Sequence, residues 1–115
     1  MSELKELTRQ VAKFQSDREW DKGREPKDDA IDIIVEASEI VEHFQWKKGE
    51  ELAKYVAVHK EEICDEMADV LFGLLSLGNI LKVDLGAAFA KKMQNNEQKY
   101  PVEKSKGNHK KYTEF

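Results

Sequence analysis

Two pairs of acidic residues, each set inside an apolar run, constrain this chain more than any other feature. Glu36 and Glu39 lie in Ile33-Ile34-Val35-Glu36-Ala37-Ser38-Glu39-Ile40-Val41-Glu42. Glu66 and Asp69 lie in Asp65-Glu66-Met67-Ala68-Asp69-Val70-Leu71-Phe72. The i,i+3 spacing puts both carboxylates of a pair on one side of a helix, about one turn apart. At about 100° per residue, Glu36 borders a stripe of Ile33, Ala37, Ile40 and Phe44, and Glu66 borders one of Ile63, Val70, Leu74 and Leu77. If the stripes pack together, four carboxylates meet along the edge of one interface. Like charges at that range ionise together only when a cation neutralises them. The pattern therefore asks for a divalent metal, although acidic pairs at this spacing also occur on solvated helix faces.

The donors in both pairs are oxygen only, which suits Mg²⁺ or Mn²⁺ rather than Zn²⁺. A di-iron carboxylate bundle needs Glu-x-x-His on two helices, and neither pair has it. His43, one turn beyond Glu39, is either a group behind the ligands or a partly exposed helix histidine. Mg²⁺ held by carboxylates takes phosphate oxygens as further ligands, so such a cluster fits hydrolysis of a phosphoanhydride.

Taken in order, residues 2 to 19 read as a helix capped by Ser2, with Leu4, Leu7, Val11 and Phe14 as a narrow apolar ladder. Trp20 closes it, Lys22-Gly23 is its exit, and Pro26 makes Arg24-Glu25-Pro26 a non-helical connection. A second helix starts near Lys27 or Asp28 and runs to Trp46. Asp28 and Asp29 in its first turn suit the helix dipole, and its apolar circumference predicts burial on two sides. After the turn Lys47-Lys48-Gly49-Glu50, residues 50 to 57 are a short helix or a lead-in. A long helix then covers 58 to 81, with Gly73 and Gly78 marking a close helix contact or an open pocket. Asp84 caps a fourth helix, Leu85 to Lys99, ended by Tyr100-Pro101. Residues 102 to 115 are polar and lysine-rich, and are expected to be an extended or disordered tail or an arm docking on a partner subunit.

This is an all-α four-helix bundle with one domain over residues 1–101 and a tail over 102–115. A chain of 115 residues holds one domain at most. The apolar surface on the second and third helices exceeds what one small bundle covers, which predicts a second copy. A net charge of −4 points to neither a nucleic-acid polymer nor a membrane surface. The single cysteine, Cys64, excludes an intrachain disulfide and fits a reducing compartment; it reads as a small residue beside the core. No leader opens the chain and no apolar run reaches roughly 18 residues, so the cytoplasm is expected.

The motifs together resemble a known family. Glu36-x-x-Glu39 followed by Glu66-x-x-Asp69 is similar to the signature of the MazG-like all-α nucleoside triphosphate pyrophosphohydrolases. Arg18-Glu19-Trp20, Phe44-Gln45-Trp46, Asp69-Val70-Leu71, Val83-Asp84-Leu85, Lys92-Met93-x-x-Asn96-x-x-Lys99-Tyr100-Pro101 and Lys111-Tyr112-Thr113-Glu114 resemble the dCTP pyrophosphatase branch. The resemblance implies Mg²⁺-dependent hydrolysis of a nucleoside triphosphate to monophosphate and pyrophosphate, by a homodimer or homotetramer. It implies Glu36, Glu39, Glu66 and Asp69 as metal ligands and Lys92 and Asn96 as phosphate contacts, with Lys99 and Tyr100 nearby. It implies Trp20 and Trp46 around the base, a sensible role since an aromatic face stacks on any nucleobase. Glu42 and Glu62 are further acidic groups near the pairs, and neither is assigned as general base. Two positions depart from that branch. Arg24 stands where relatives have histidine, and reaches phosphate or faces solvent. Gly73 stands where they have tyrosine. Two other readings are a nucleotide-binding or helix-bundle interaction protein with little turnover, and a pyrophosphohydrolase of another class such as phosphoribosyl-ATP.

Overall fold

Ser2 Oγ accepts a hydrogen bond from the Lys5 amide at 3.2 Å and starts helix α1, Glu3–Asp17, in a computed structural model that describes residues 2–115. The helix stops two residues short of residue 19. Glu19 turns left-handed (φ 58°), and the Trp20 amide bonds back to the Gln15 carbonyl at 2.8 Å. Helix α2 spans Pro26–Phe44. Proline sits at its first position, where a missing N–H costs nothing, and Asp28 Oδ2 accepts from the Glu25 amide at 3.1 Å. It ends before Trp46, whose left-handed backbone (φ 69°) no helix continues through.

Helix α3 is one long element, Gly49–Leu81, bent at His59 (φ −106°, ψ 17°). Residues 50–57 are therefore its first turns, and the bend lies one residue past the expected start at Val58. The His59 ring compensates for the bend, its Nδ1 lying 3.0 Å from the Tyr55 carbonyl oxygen.

In the unit that ends at Val83, α3 packs on both α1 and α2. Val11, Ile63 and Leu75 are its buried apolar residues, but the most deeply buried side chains are polar. Asp29 is fully buried. It accepts from the Arg24 guanidinium and, at 2.9 Å, from Ser76 Oγ, which accepts in turn from Gln15 Nε2 at 2.7 Å. This chain of bonds joins α1, the connection at Arg24, α2 and α3, so every buried polar group in it is satisfied. Asp29 serves there as the partner of an arginine, beyond any dipole role. Arg24 is likewise committed to Asp29, with Asp32 3.7 Å away.

Two apolar readings need correction. Within this chain α2 is not buried on two sides, since Ile31, Ile34, Val35 and Val41 are exposed. The buried line of α3 passes through Ile63, Gly73, Leu75, Ser76 and Gly78, leaving Leu74 exposed. Cys64 also faces solvent rather than the core.

Gly73 marks a close approach. A Cβ built on it would stand 2.8 Å from Ile33 Cγ1. Ile33 is β-branched and stiff in a helix, so it yields only by straining its rotamer or moving the backbone. Gly73→Ala is expected to cost about 1–3 kcal/mol in urea unfolding, and an unchanged midpoint would show that α2 and α3 have room to spare. Together Asp29–Ser76, Ile33–Gly73 and His43–Glu66 set an antiparallel register between α2 and α3.

The second unit is Asp84–Phe115. Asp84 caps α4, Leu85–Lys99, accepting from the Ala87 amide at 3.0 Å. Residues 102–115 are not an extended tail. They form a short helix α5, Val102–Ser105, and a 3₁₀ turn, Tyr112–Glu114. Tyr100 meets Tyr112 and Phe115 edge-on, with ring centroids 6.0 and 5.9 Å apart, and Lys99 Nζ lies 4.9 Å from the Tyr112 ring. Three aromatic rings thus fold the C-terminal segment back onto the end of α4. No single helix among the described residues is long and apolar enough to cross a membrane.

Candidate active site

The antiparallel register of α2 and α3 brings the two acidic pairs to one edge. Glu36 shows it most directly, because its carboxyl is pushed above the usual range. Desolvation contributes most, followed by the charges of Glu39 and Asp69, a hydrogen bond with Glu39 and the charge of Asp32. Protonation relieves this repulsion, so Glu36 favours the fold in acid, and that contribution is lost as pH rises through its raised value. The repulsion expected of clustered carboxylates is therefore present between the helices.

Glu66 lies further along the same edge in a different setting. Its Oε2 is buried without a hydrogen bond of good geometry, and His43 Nε2 stands 2.6 Å from it. His43 is buried, not a partly exposed helix histidine, and its Nδ1 lies 2.7 Å from Tyr55 Oη. Hydrophobic periodicity passed over Tyr55 altogether. Among the described residues, no three His, Cys, Asp or Glu side chains already converge closely enough to hold an ion. The donor chemistry nonetheless fits a hard cation: oxygen ligands, mutual repulsion at Glu36, and a buried carboxylate oxygen short of donors.

Beside the carboxylates runs an apolar cleft of about 610 Å³ between α1 and α3. Phe14, Trp20, Phe72 and Leu75 line it, and Asp69 stands on its wall. Phe14 is fixed edge-on between Trp20 (centroids 5.6 Å apart) and Phe72 (5.9 Å). The structure thus joins Trp20 to Asp69 at one cleft. Trp46 is not part of it: it stands 90% exposed on the turn between α2 and α3. Glu42 and Glu62 are exposed. In the second unit, Lys92, Asn96 and Lys99 follow at i, i+4 and i+7, on one face of α4. Lys92 is exposed and Asn96 half-buried, while Lys99 and Tyr100 are engaged with the C-terminal rings.

The helical scaffold thus sets a carboxylate edge beside an aromatic cleft. Comparison with known proteins gives its class. Residues 31–115 match the MazG-like family model. The chain is 34% identical over 114 residues to dCTP pyrophosphatase 1 of Rattus norvegicus and 31% identical to that of Homo sapiens, covering 97% of this chain and 67% of each relative. The crystal structure of a pyrophosphatase from Archaeoglobus fulgidus superposes with a TM-score of 0.80 at 34% identity, over 88% of this chain and 94% of that one. The chain belongs to the MazG-like family. Its fold is that of the all-α nucleoside triphosphate pyrophosphatases, and its activity is nucleoside triphosphate pyrophosphohydrolysis.

Proposed function

We propose that the protein converts a (deoxy)nucleoside triphosphate, dCTP-like or non-standard, to its monophosphate and pyrophosphate in a Mg²⁺-dependent reaction, as a cytoplasmic house-cleaning enzyme of the nucleotide pool. The observation that carries this reading is the meeting of cleft and carboxylate at Asp69. In this reading the aromatic face of a base packs in the cleft that Trp20, Phe14 and Phe72 line, with its triphosphate towards the acidic edge at Asp69. A triphosphate and carboxylates repel each other, so this placement requires a cation between them. Glu36, Glu39, Glu66 and Asp69 would hold it. Bound there, Mg²⁺, or Mn²⁺ in its place, supplies charge neutralisation and Lewis acidity towards the phosphoanhydride.

Lys92 and Asn96, on one face of α4, are the phosphate contacts of this reading, with Lys99 and Tyr100 as weaker candidates nearby. Arg24 is the weakest of the phosphate candidates, because Asp29 already engages its guanidinium. Trp46 holds a bulky side chain in the left-handed region, at a strain of about 1–2 kcal/mol. Such strain is retained where a side chain is needed in one place. Fully exposed in one copy, it would enclose a base only once covered. The exposed Ile31, Ile34 and Val41 of α2 support a homodimer or homotetramer as the working form.

The cleft is tested by kinetics over a panel of canonical and modified triphosphates. Stacking on an aromatic ring is worth about 1–3 kcal/mol per base. Trp20→Ala is therefore expected to raise KM by about 5- to 150-fold, with Trp20→Phe recovering most of it. The preferred triphosphate in the panel identifies the base. Unchanged KM for every triphosphate would remove the base from this cleft.

A further inference from the structure

We propose that Tyr55 and His43 form a two-residue relay that orients the Glu66 carboxylate for the cation. The proposal rests on the reading of Glu66 as a metal ligand and goes beyond it, because neither Tyr55 nor His43 belongs to the acidic pairs. Three observations carry it. Glu66 Oε2 is buried and has no hydrogen bond of good geometry, yet an imidazole nitrogen lies 2.6 Å away. The other imidazole nitrogen, Nδ1, lies 2.7 Å from Tyr55 Oη. The Tyr55 ring is itself held, stacked on His59 at 3.9 Å with a 15° interplanar angle and with Lys47 Nζ 4.2 Å from its centroid.

For a neutral imidazole, hydrogen-bond chemistry gives the relay its direction. A carboxylate oxygen only accepts, so an imidazole nitrogen 2.6 Å away is tolerated only as N–H. With the proton on Nε2, a neutral imidazole offers Nδ1 as acceptor, and Tyr55 Oη donates to it. Tyr55 therefore selects the tautomer, and His43 presents Nε2–H to Oε2. Engaging one oxygen of Glu66 in this way leaves the second to the ion and fixes the plane of the carboxylate. Groups that orient a metal ligand from behind commonly affect metal affinity by about 10- to 100-fold. His43 touches neither substrate nor ion here, and is a positioning residue.

The test is Mn²⁺ binding by the nucleotide-free protein, measured by titration calorimetry alongside thermal unfolding. His43→Leu is expected to weaken Mn²⁺ by about 10- to 100-fold. His43→Gln, whose amide can donate to Oε2, is expected to recover part of this. Tyr55→Phe keeps the stacked ring and removes only the hydroxyl, so it avoids a folding defect. Loss of one hydrogen bond predicts a weakening of about 2- to 10-fold. A merely structural role lowers the melting temperature and leaves Mn²⁺ affinity alone. Affinities within about twofold of wild type in both His43→Leu and Tyr55→Phe would overturn the relay. Glu66→Gln separates this failure from that of the underlying reading. If it loses Mn²⁺ while the relay variants do not, only the relay falls, whereas wild-type protein that binds no Mn²⁺ overturns both.

Discussion

Glu39→Gln is expected to lose pyrophosphate release by about 10²- to 10³-fold while unfolding no more easily than wild type. On the proposed reading Glu39 is a metal ligand, whose removal forfeits several kcal/mol of transition-state stabilisation, and each 1.36 kcal/mol is tenfold in rate. Stability moves the other way. Glu39 raises the Glu36 carboxyl through both charge and a hydrogen bond, so a neutral amide at 39 relieves repulsion in the metal-free fold. A group kept for catalysis at the expense of stability shows this opposition of signs. Kinetics and thermal melts on one preparation decide it. Parallel losses in both would mark Glu39 as a structural residue.

The second large effect lies in the buried polar chain. Arg24→Met is expected to destabilise the protein by about 3–5 kcal/mol, because it strands a fully buried carboxylate. For a domain of this size that is a fall in Tm of roughly 12–20 °C. Asp29→Asn should cost less. The Arg24 side chain is partly open to water, with Asp32 3.7 Å away, and Ser76 can still bond the amide. Combining the two should recover much of the loss, since a pair removed together leaves no unpaired charge. Urea unfolding of the single and double variants reads this directly. Strictly additive losses would show that Arg24 and Asp29 do not act as a pair.

The helices were legible because their ends carry chemistry that a sequence displays: Ser2 and Asp84 as caps, Pro26 as an entry, Tyr100-Pro101 as an exit. The acidic pairs were legible for the same reason, since i,i+3 spacing fixes an angle on one helix. What the pattern could not supply was the orientation of each helix towards its neighbours. A period of 3.6 residues identifies an apolar face but not which part of a broad one is covered, so α2 read as buried on two sides. Buried polar residues were hidden by the same logic. Asp29 passed for a first-turn carboxylate, and His43 stayed open between a partly exposed helix histidine and a group behind the ligands, because the partners that bury them, Arg24 and Ser76 or Tyr55 and Glu66, are defined only by packing. The C-terminal segment misled through its lysines. The signal that could have corrected it was Tyr112 and Phe115, two aromatic rings in an otherwise polar stretch after Tyr100.

The most direct test of the central claim is to identify the products formed from a triphosphate panel that includes dCTP, with Mg²⁺, with Mn²⁺ and with a chelator. The account predicts monophosphate and pyrophosphate in equal amounts, formed with either metal and abolished by the chelator. Orthophosphate and nucleoside diphosphate as products, or no turnover of any triphosphate by folded protein with metal present, would contradict it.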